Sequence, residues 1–330
     1  MTKVPPLADL LDSMHVVSIP MQVRFRGVMH REIAVFSGPS GWGEFSPFLE
    51  YAAPEASRWL AAAIDAAWQS WPSAVRHTVP VNATVPAVAA ADVPAVLARY
   101  DGCGTAKVKV AEAGQSLADD LDRVAAVRET MGAAAKVRID ANGGWSVDDA
   151  AAAITRLSAY DLEYAEQPCA SVEELVDLRK ALARNGIDVP IAADESIRKA
   201  TDPLRVARMG AADIAVVKVA PLGGVASALS IAADAGLPTV VSSAVDSSVG
   251  IAAGLALAAA LPDLPHACGL ATLELMAGDV VGDSLVPQSG SIEVRRPEPS
   301  TELLHEYRAN PERTAWWRQR VTDCHAHLTA

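Results

Sequence analysis

The 330-residue chain is 51% hydrophobic, 5% aromatic and 21% charged, with 28 Lys and Arg against 40 Asp and Glu and a formal net charge of -12. That composition supplies a large apolar core and argues against a nucleic-acid partner. It contains no apolar run of the roughly 18 residues that a membrane helix needs.

The opening MTKVPPLADLLDSMH lacks the basic, apolar and small-residue regions of a signal peptide, so the cytoplasm is the expected compartment. Cys103, Cys169, Cys268 and Cys324 show no CxxC spacing, which argues against a zinc site or a disulfide framework. Residues 1–78 read as an α+β capping domain. HVVSIPMQVRFRG and HREIAVFSGPSGWGEFSPF have strand composition, and EYAAPEASRWLAAAIDAAWQS follows with apolar residues at helical spacing.

From residue 79, short β-type runs alternate with Ala- and Leu-rich helical segments. The runs are TVPVNATV, AKVKV, KVRID, LEYAEQ, VPIAAD, DIAVVKV, TVVSS and HACG. Such alternation means right-handed βαβ units and a parallel sheet, and eight parallel strands close a barrel. The eighth run leads into LATLELMAGDVV rather than a helix. The fold class is therefore α/β, a modified TIM barrel of (β/α)7β type over residues 79–280. The segment 281–330 is expected to pack back on the capping domain. Tandem domains or an open doubly wound sheet fit eight even beats less well.

Barrel chemistry gathers at the C-terminal ends of the strands, and the polar residues there form a series. Lys107 and Lys109 end the second strand, Asp140 and then Asn142 the third, Glu166 and Gln167 the fourth, Asp194 and Glu195 the fifth, and Lys218 the sixth. Three carboxylates from adjacent strands, with no His or Cys among them, suit Mg2+, with Mn2+ as the alternative. Lys109 and Lys218 then face each other across the mouth. A lysine beside another cation has a lowered pKa and becomes a usable base, which makes Lys109 the base and Lys107 its companion. Each motif alone has a plain structural explanation. A KxK pair can be a solvated strand edge, a lone Asp after a strand is commonly a helix N-cap, as Asp148 after GGWSV could be, and Glu195 and Ser196 in DES can likewise cap the next helix. Five successive strand ends carrying this pattern point to a site.

The order of motifs resembles the enolase superfamily, specifically its muconate-lactonizing subgroup, over nearly the whole chain. By that resemblance Lys109 in KVKV is the base with Lys107 beside it, and Asp140 in DANGGW, Glu166 in EQP and Asp194 in DES are the metal ligands. Lys218 in VVKVA is the second barrel lysine, and Asn142 and Glu195 stand behind the ligands. GWGEFSPFLEY, SSAVDSSVG and GLATLELMAGDVV further resemble the branch that dehydrates a succinyl-bearing hydroxycyclohexadiene carboxylate in menaquinone biosynthesis. The resemblance implies a lyase acting on a small-molecule carboxylate. Ser242 or Ser243 would meet a substrate carboxylate, although these hydroxyls could instead cap the helix that DSSVG begins. N-succinylamino acid racemase, dipeptide epimerase and muconate cycloisomerase activities use the same pair of lysines and stay open, as, more remotely, does a barrel without catalysis.

Three stretches remain. In the cap hairpin VRFRGVMHR, Arg24 or Arg26 could reach a substrate carboxylate or simply line a solvated edge. PLGGV at 221–225 suits a turn between strand and helix or a modest anion site. CHAHL places His325 and His327 near the C-terminus without a third ligand and reads as a mobile tail.

Overall fold

The computed structural model describes residues 4–25, 27–199 and 202–330; Arg26 lies outside them. The cap is built on a three-stranded antiparallel sheet of β1 (His15–Phe25), β2 (Val28–Gly38) and β3 (Gly41–Phe45), in that spatial order. Its inner face packs on the helix Ala53–Trp68, which Pro54 opens at a position where a missing N–H costs nothing.

The run TVPVNATV forms two short strands. β4 (Thr78–Pro80) leaves the barrel and pairs antiparallel with the tail strand, and only β5 (Ala83–Val85) joins the parallel sheet. The sheet continues through β6 (Thr105–Lys109), β7 (Lys136–Asp140), β8 (Leu162–Glu166), β9 (Ile191–Ala193), β10 (Ile214–Val217) and β11 (Thr239–Val241), each beside its sequence neighbour. The eighth run closes the ring as two parallel bridges, Ser242 with Gly269 and Val81 with Cys268. The last connection reaches it through the helix Ser248–Ala260. A short 3-10 turn, Thr272–Leu275, follows where a (β/α)8 barrel would have a helix.

The tail crosses to the cap. After β12 (Ser291–Glu293), which pairs with β4, the chain forms helices Thr301–Glu306 and Pro311–Thr329. Trp317 is fully buried edge-on against Phe45 at 5.6 Å, and its indole N–H donates to Glu32 at 2.8 Å. The mobile tail expected at CHAHL is therefore corrected. His325 and His327 lie on this last helix, with the His325 Nε2 2.9 Å from the Pro5 carbonyl and Cys324 buried. Among the described residues no helix is long and apolar enough to cross a membrane.

Outward residues of the barrel strands meet the helices in one large apolar cluster. The interior holds a small group of Tyr164, Ala192, Ile214, Val216 and Val240. Arg138 is buried here, two residues before Asp140 and on the same face of β7. It donates to Glu163 at 2.9 Å, to the Tyr164 hydroxyl at 2.7 Å and to the Ala267 carbonyl at 2.9 Å. A buried guanidinium needs this many partners. Together they tie β7, β8 and the closing segment across the lumen.

Candidate active site

Register places the charged side chains. Lys107 stands opposite Arg138, Lys109 opposite Asp140, and Asp140 opposite Glu166 on neighbouring parallel strands. Alternation turns Lys107 and Lys109 inward while Val108 faces the helices. Lys107, Lys109, Asp140, Glu166, Asp194 and Lys218 are all buried. The solvated-edge explanation of KVK is thereby excluded.

Every charge in the cluster has a partner. The Lys107 ammonium donates to both Glu166 oxygens at 3.0 and 3.1 Å and lies 3.5 Å from Asp140. Lys109 donates to Asp140 at 2.5 Å and to the Asn142 side-chain oxygen at 2.7 Å. Lys218 donates to Asp194 at 2.6 Å. Burial alone would lower the Lys107 pKa, but Glu166 and Asp140 outweigh it and hold the ammonium charged. Burial likewise pushes Asp140 upward, and Lys109 and Lys107 override it and keep the carboxyl well below its usual range. Asp194 is held low against burial by Lys218 and Arg198. Glu166 goes the other way, up to about 7, because burial and repulsion from Asp140 prevail over Lys107.

Asp140 and Asp194 both act on Glu166 as like charges, so the three acids share one region of the barrel mouth. Hard carboxylate oxygens gathered against their own repulsion form a donor set that fits a divalent cation. They do not all point at one spot. Lysine nitrogens stand between them, and among the described residues no three His, Cys, Asp or Glu side chains form a ready-made ligand cluster.

Two amide residues shape the strand ends. Asn142 has a left-handed backbone (φ 47°), and its N–H donates to Asp140 at 3.0 Å. Gln167 (φ 38°) accepts from the Asp194 and Ser196 N–H groups at 3.0 and 3.1 Å, fixing the backbone that carries Asp194 from behind. Asn142 also reaches Glu195 at 3.2 Å. The Asp194 side chain does not cap the helical turn after it; it is spent on Arg198 and Lys218.

Both serines of the seventh strand end reach the pocket wall. Ser243 donates to the Gly269 carbonyl at 2.7 Å and lies 2.8 Å from the Thr272 hydroxyl; Ser242 donates to the same carbonyl at 3.4 Å. Neither caps the following helix, a role taken by Ser247. Arg24 is exposed on a groove that also contains Lys109 and Asn142. PLGGV is a turn before the helix Val225–Ala235, and its reading as an anion site is corrected. The Asp65 carboxylate of the cap helix already accepts the Val225 N–H at 3.0 Å, and an anion there would meet a like charge.

Sequence reasoning missed Arg198. It is buried and donates to Asp194 at 3.0 Å, to Glu195 at 2.6 Å and to the Tyr51 hydroxyl of the cap at 3.2 Å. Its spacing of four from Asp194 on a helical turn was the available signal. Thr84, opposite Lys107 in register, was also missed; its buried hydroxyl lines the pocket without a hydrogen-bond partner among the described residues. The cap's Phe25, Phe48 and Trp59 form an apolar wall facing the lysines, and nothing in the sequence marks them for it.

Residues 89–299 match the model of the enolase C-terminal domain-like family, and residues 16–67 match that of the enolase N-terminal domain-like family. A protein of Mycolicibacterium smegmatis named o-succinylbenzoate synthase is 59% identical over 324 residues, 98% of each chain. The chain belongs to the o-succinylbenzoate synthase family of the enolase superfamily. One of that name from Mycobacterium marinum is 57% identical, over 98% of this chain and 96% of its own. Among solved structures, the muconate lactonizing enzyme of Pseudomonas fluorescens has a TM-score of 0.75 at 20% identity, covering 90% of this chain and 98% of its own. A dipeptide epimerase of Enterococcus faecalis has a TM-score of 0.69 at 21% identity, covering 87% and 97%. These two likenesses establish the modified barrel with its cap.

Proposed function

We propose that the chain is a cytoplasmic hydro-lyase converting 2-succinyl-6-hydroxy-2,4-cyclohexadiene-1-carboxylate to 2-succinylbenzoate in menaquinone biosynthesis, with Mg2+ as its metal and Mn2+ as a substitute. The observation that carries the reading is the pairing of Lys109 and Lys218 with acids on opposite sides of one buried pocket. Asp140, Glu166 and Asp194 would hold the metal. A divalent cation bound there supplies positive charge to the substrate carboxylate as its α-carbon becomes electron-rich.

Lys109, neutral, takes the α-proton as general base. Lys107, kept charged by Glu166 and Asp140, disfavours a second ammonium beside it, and would favour the neutral form of Lys109 once its Asp140 partner served the metal instead. Lys218 stays a cation on the far side and stabilises the developing negative charge. The carbon–oxygen bond to the ring hydroxyl then breaks, Lys109 returns the proton, and water leaves as the ring becomes aromatic. No oxidant or reductant is required. Ser242, Ser243 and Thr84, which line the pocket, would orient the substrate, and the aromatic wall of the cap would exclude water from the reacting face.

The reading is tested by following the absorbance of that substrate with Mg2+, with EDTA and with Lys109→Ala. Mg2+-dependent conversion that is lost in the variant is expected; no conversion by folded, metal-loaded protein would overturn it. Two lysines on opposite faces also suit 1,1-proton transfer. Racemisation of N-succinylamino acids is therefore the second reading, assayed in parallel.

A further inference from the structure

We infer that Arg31 is a positioning residue that clasps the cap to the barrel and fixes the pocket wall at Val245, a role that rests on the proposed dehydration. Arg31 lies on β2, outside the cluster of acids and lysines, yet it is only 3% exposed. Its Nε donates to the Val245 carbonyl at 2.9 Å, and its Nη2 donates to the carbonyls of Ser46 and, at 3.3 Å, Ala244. Among the described residues, each of these hydrogen bonds goes to main chain. One guanidinium thus joins two loops of different origin, one from the cap and one following β11.

Both loops line the reaction pocket. Phe48, two residues beyond Ser46, has its ring 4.6 Å from the Arg31 guanidinium carbon, and the segment Ser242–Val245 forms the opposite wall. Val245 has a left-handed backbone (φ 63°), which a β-branched residue adopts only when its surroundings impose it. Asp246 supplies part of that constraint by accepting the Ala244 N–H at 3.2 Å. Glu44 of the cap holds the residues that follow, accepting the Ser247 and Gly250 N–H groups at 3.0 and 3.1 Å, and Arg31 holds the Val245 and Ala244 carbonyls themselves from across the interface. A rigid fork can hold carbonyls on two loops at once, whereas a lysine offers a single point of charge. Without the clasp the turn relaxes, and Ser242 and Ser243 lose their setting against the substrate.

The test compares Arg31→Met and Arg31→Lys with Arg31→Met combined with Val245→Gly or with Val245→Ala. Amide hydrogen exchange over residues 242–248 is the readout independent of turnover, and KM and kcat are measured alongside. Arg31→Met is expected to speed exchange in that segment and to raise KM about tenfold or more with a much smaller change in kcat. Arg31→Lys should recover only part of the loss. Glycine at 245 adopts the turn freely and should restore KM in the Arg31→Met background. Alanine, which also gives up the valine's packing but keeps a β-carbon, should not. Unchanged exchange in a folded Arg31→Met or Arg31→Lys protein overturns the clasp. Faster exchange with an unaltered KM, or equal behaviour of the glycine and alanine double variants, overturns the positioning role. If the unaltered protein fails to turn over the cyclohexadiene carboxylate, the reaction assignment falls, while the exchange data still judge the clasp.

Discussion

Lys109 and Asp140 stand opposite one another in the register of β6 and β7, and their side chains meet at 2.5 Å. The proposed base and a proposed metal ligand are therefore each other's counter-charge. Lys109→Met should lower turnover by about 10²–10⁴-fold, the usual worth of a general base. It should also destabilise the metal-free protein by roughly 3 kcal/mol, because a buried carboxylate loses its main partner. Thermal melts with and without Mg2+ check this. Added metal should recover much of the stability and none of the activity.

Metal binding should show in stability as well as in rate. A ligand of the folded state at a hundred times its Kd adds about 2.7 kcal/mol, so Mg2+ titration should raise the melting temperature and EDTA should reverse the rise. Glu166→Gln replaces an anionic donor with a neutral amide. It is expected to flatten the titration, and a wild-type rise in that variant would remove Glu166 from the ligand set.

Arg198 orients Asp194 and Glu195 together while holding Tyr51 of the cap. Partners behind metal ligands are typically worth about 10–100-fold in metal affinity. Calorimetry on Arg198→Met should show Mg2+ affinity reduced within that range, with the fold intact by circular dichroism. Unchanged affinity would limit Arg198 to seating the cap.

At the base of the barrel, Glu163 faces Arg138 at 2.6 Å, His266 at 2.8 Å and Lys136 at 3.4 Å. Burial raises its pKa, but His266 and Arg138 prevail and bring it down from 4.5 to about 2. A depressed carboxylate stabilises the fold above its unfolded pKa, and that contribution fades as pH falls from near 4.5 through about 2. Allowing for solvent screening, the ionised group contributes about 2 kcal/mol at neutral pH. The stability gap between wild type and Glu163→Gln should therefore be full at pH 6 and close towards pH 2. A gap that does not vary with pH would contradict the linkage.

Trp317 carries the tail's attachment to the cap through its contact with Phe45 and its bond to Glu32. Trp317→Ala should cost about 3–5 kcal/mol, as for other buried large-to-alanine changes. Chemical denaturation measures it. A loss under 1 kcal/mol would mean that the last helix is only loosely docked.

Much of the fold was legible because its signals are local and periodic. KVRID and LEYAEQ announce parallel strands through alternation, and the polar residue at each strand end falls where barrel chemistry is expected. TVPVNATV was less transparent. Both halves read as one short β-type run, and only their pairing partners, β12 for one and β6 for the other, separate them. The ordered helix around His325 escaped reading for a similar reason, since its stability comes from burying Trp317 and Cys324 against the cap rather than from its own sequence.

The sequence by itself determined which chemical groups stand at the strand ends, because an alternating strand of fixed polarity leaves its inward side chains little choice. It therefore named Lys107, Lys109, Asp140, Glu166, Asp194 and Lys218. Only the tertiary structure decided which groups face one another across the chain: Arg198 on Tyr51, Thr84 opposite Lys107, Asp65 in the glycine turn, and Arg31 on Val245. Those pairs are separated by 23 to 214 residues, beyond the reach of any local pattern. They form only when barrel closure and cap docking bring distant segments into one low-dielectric volume, where every buried polar group must find a partner.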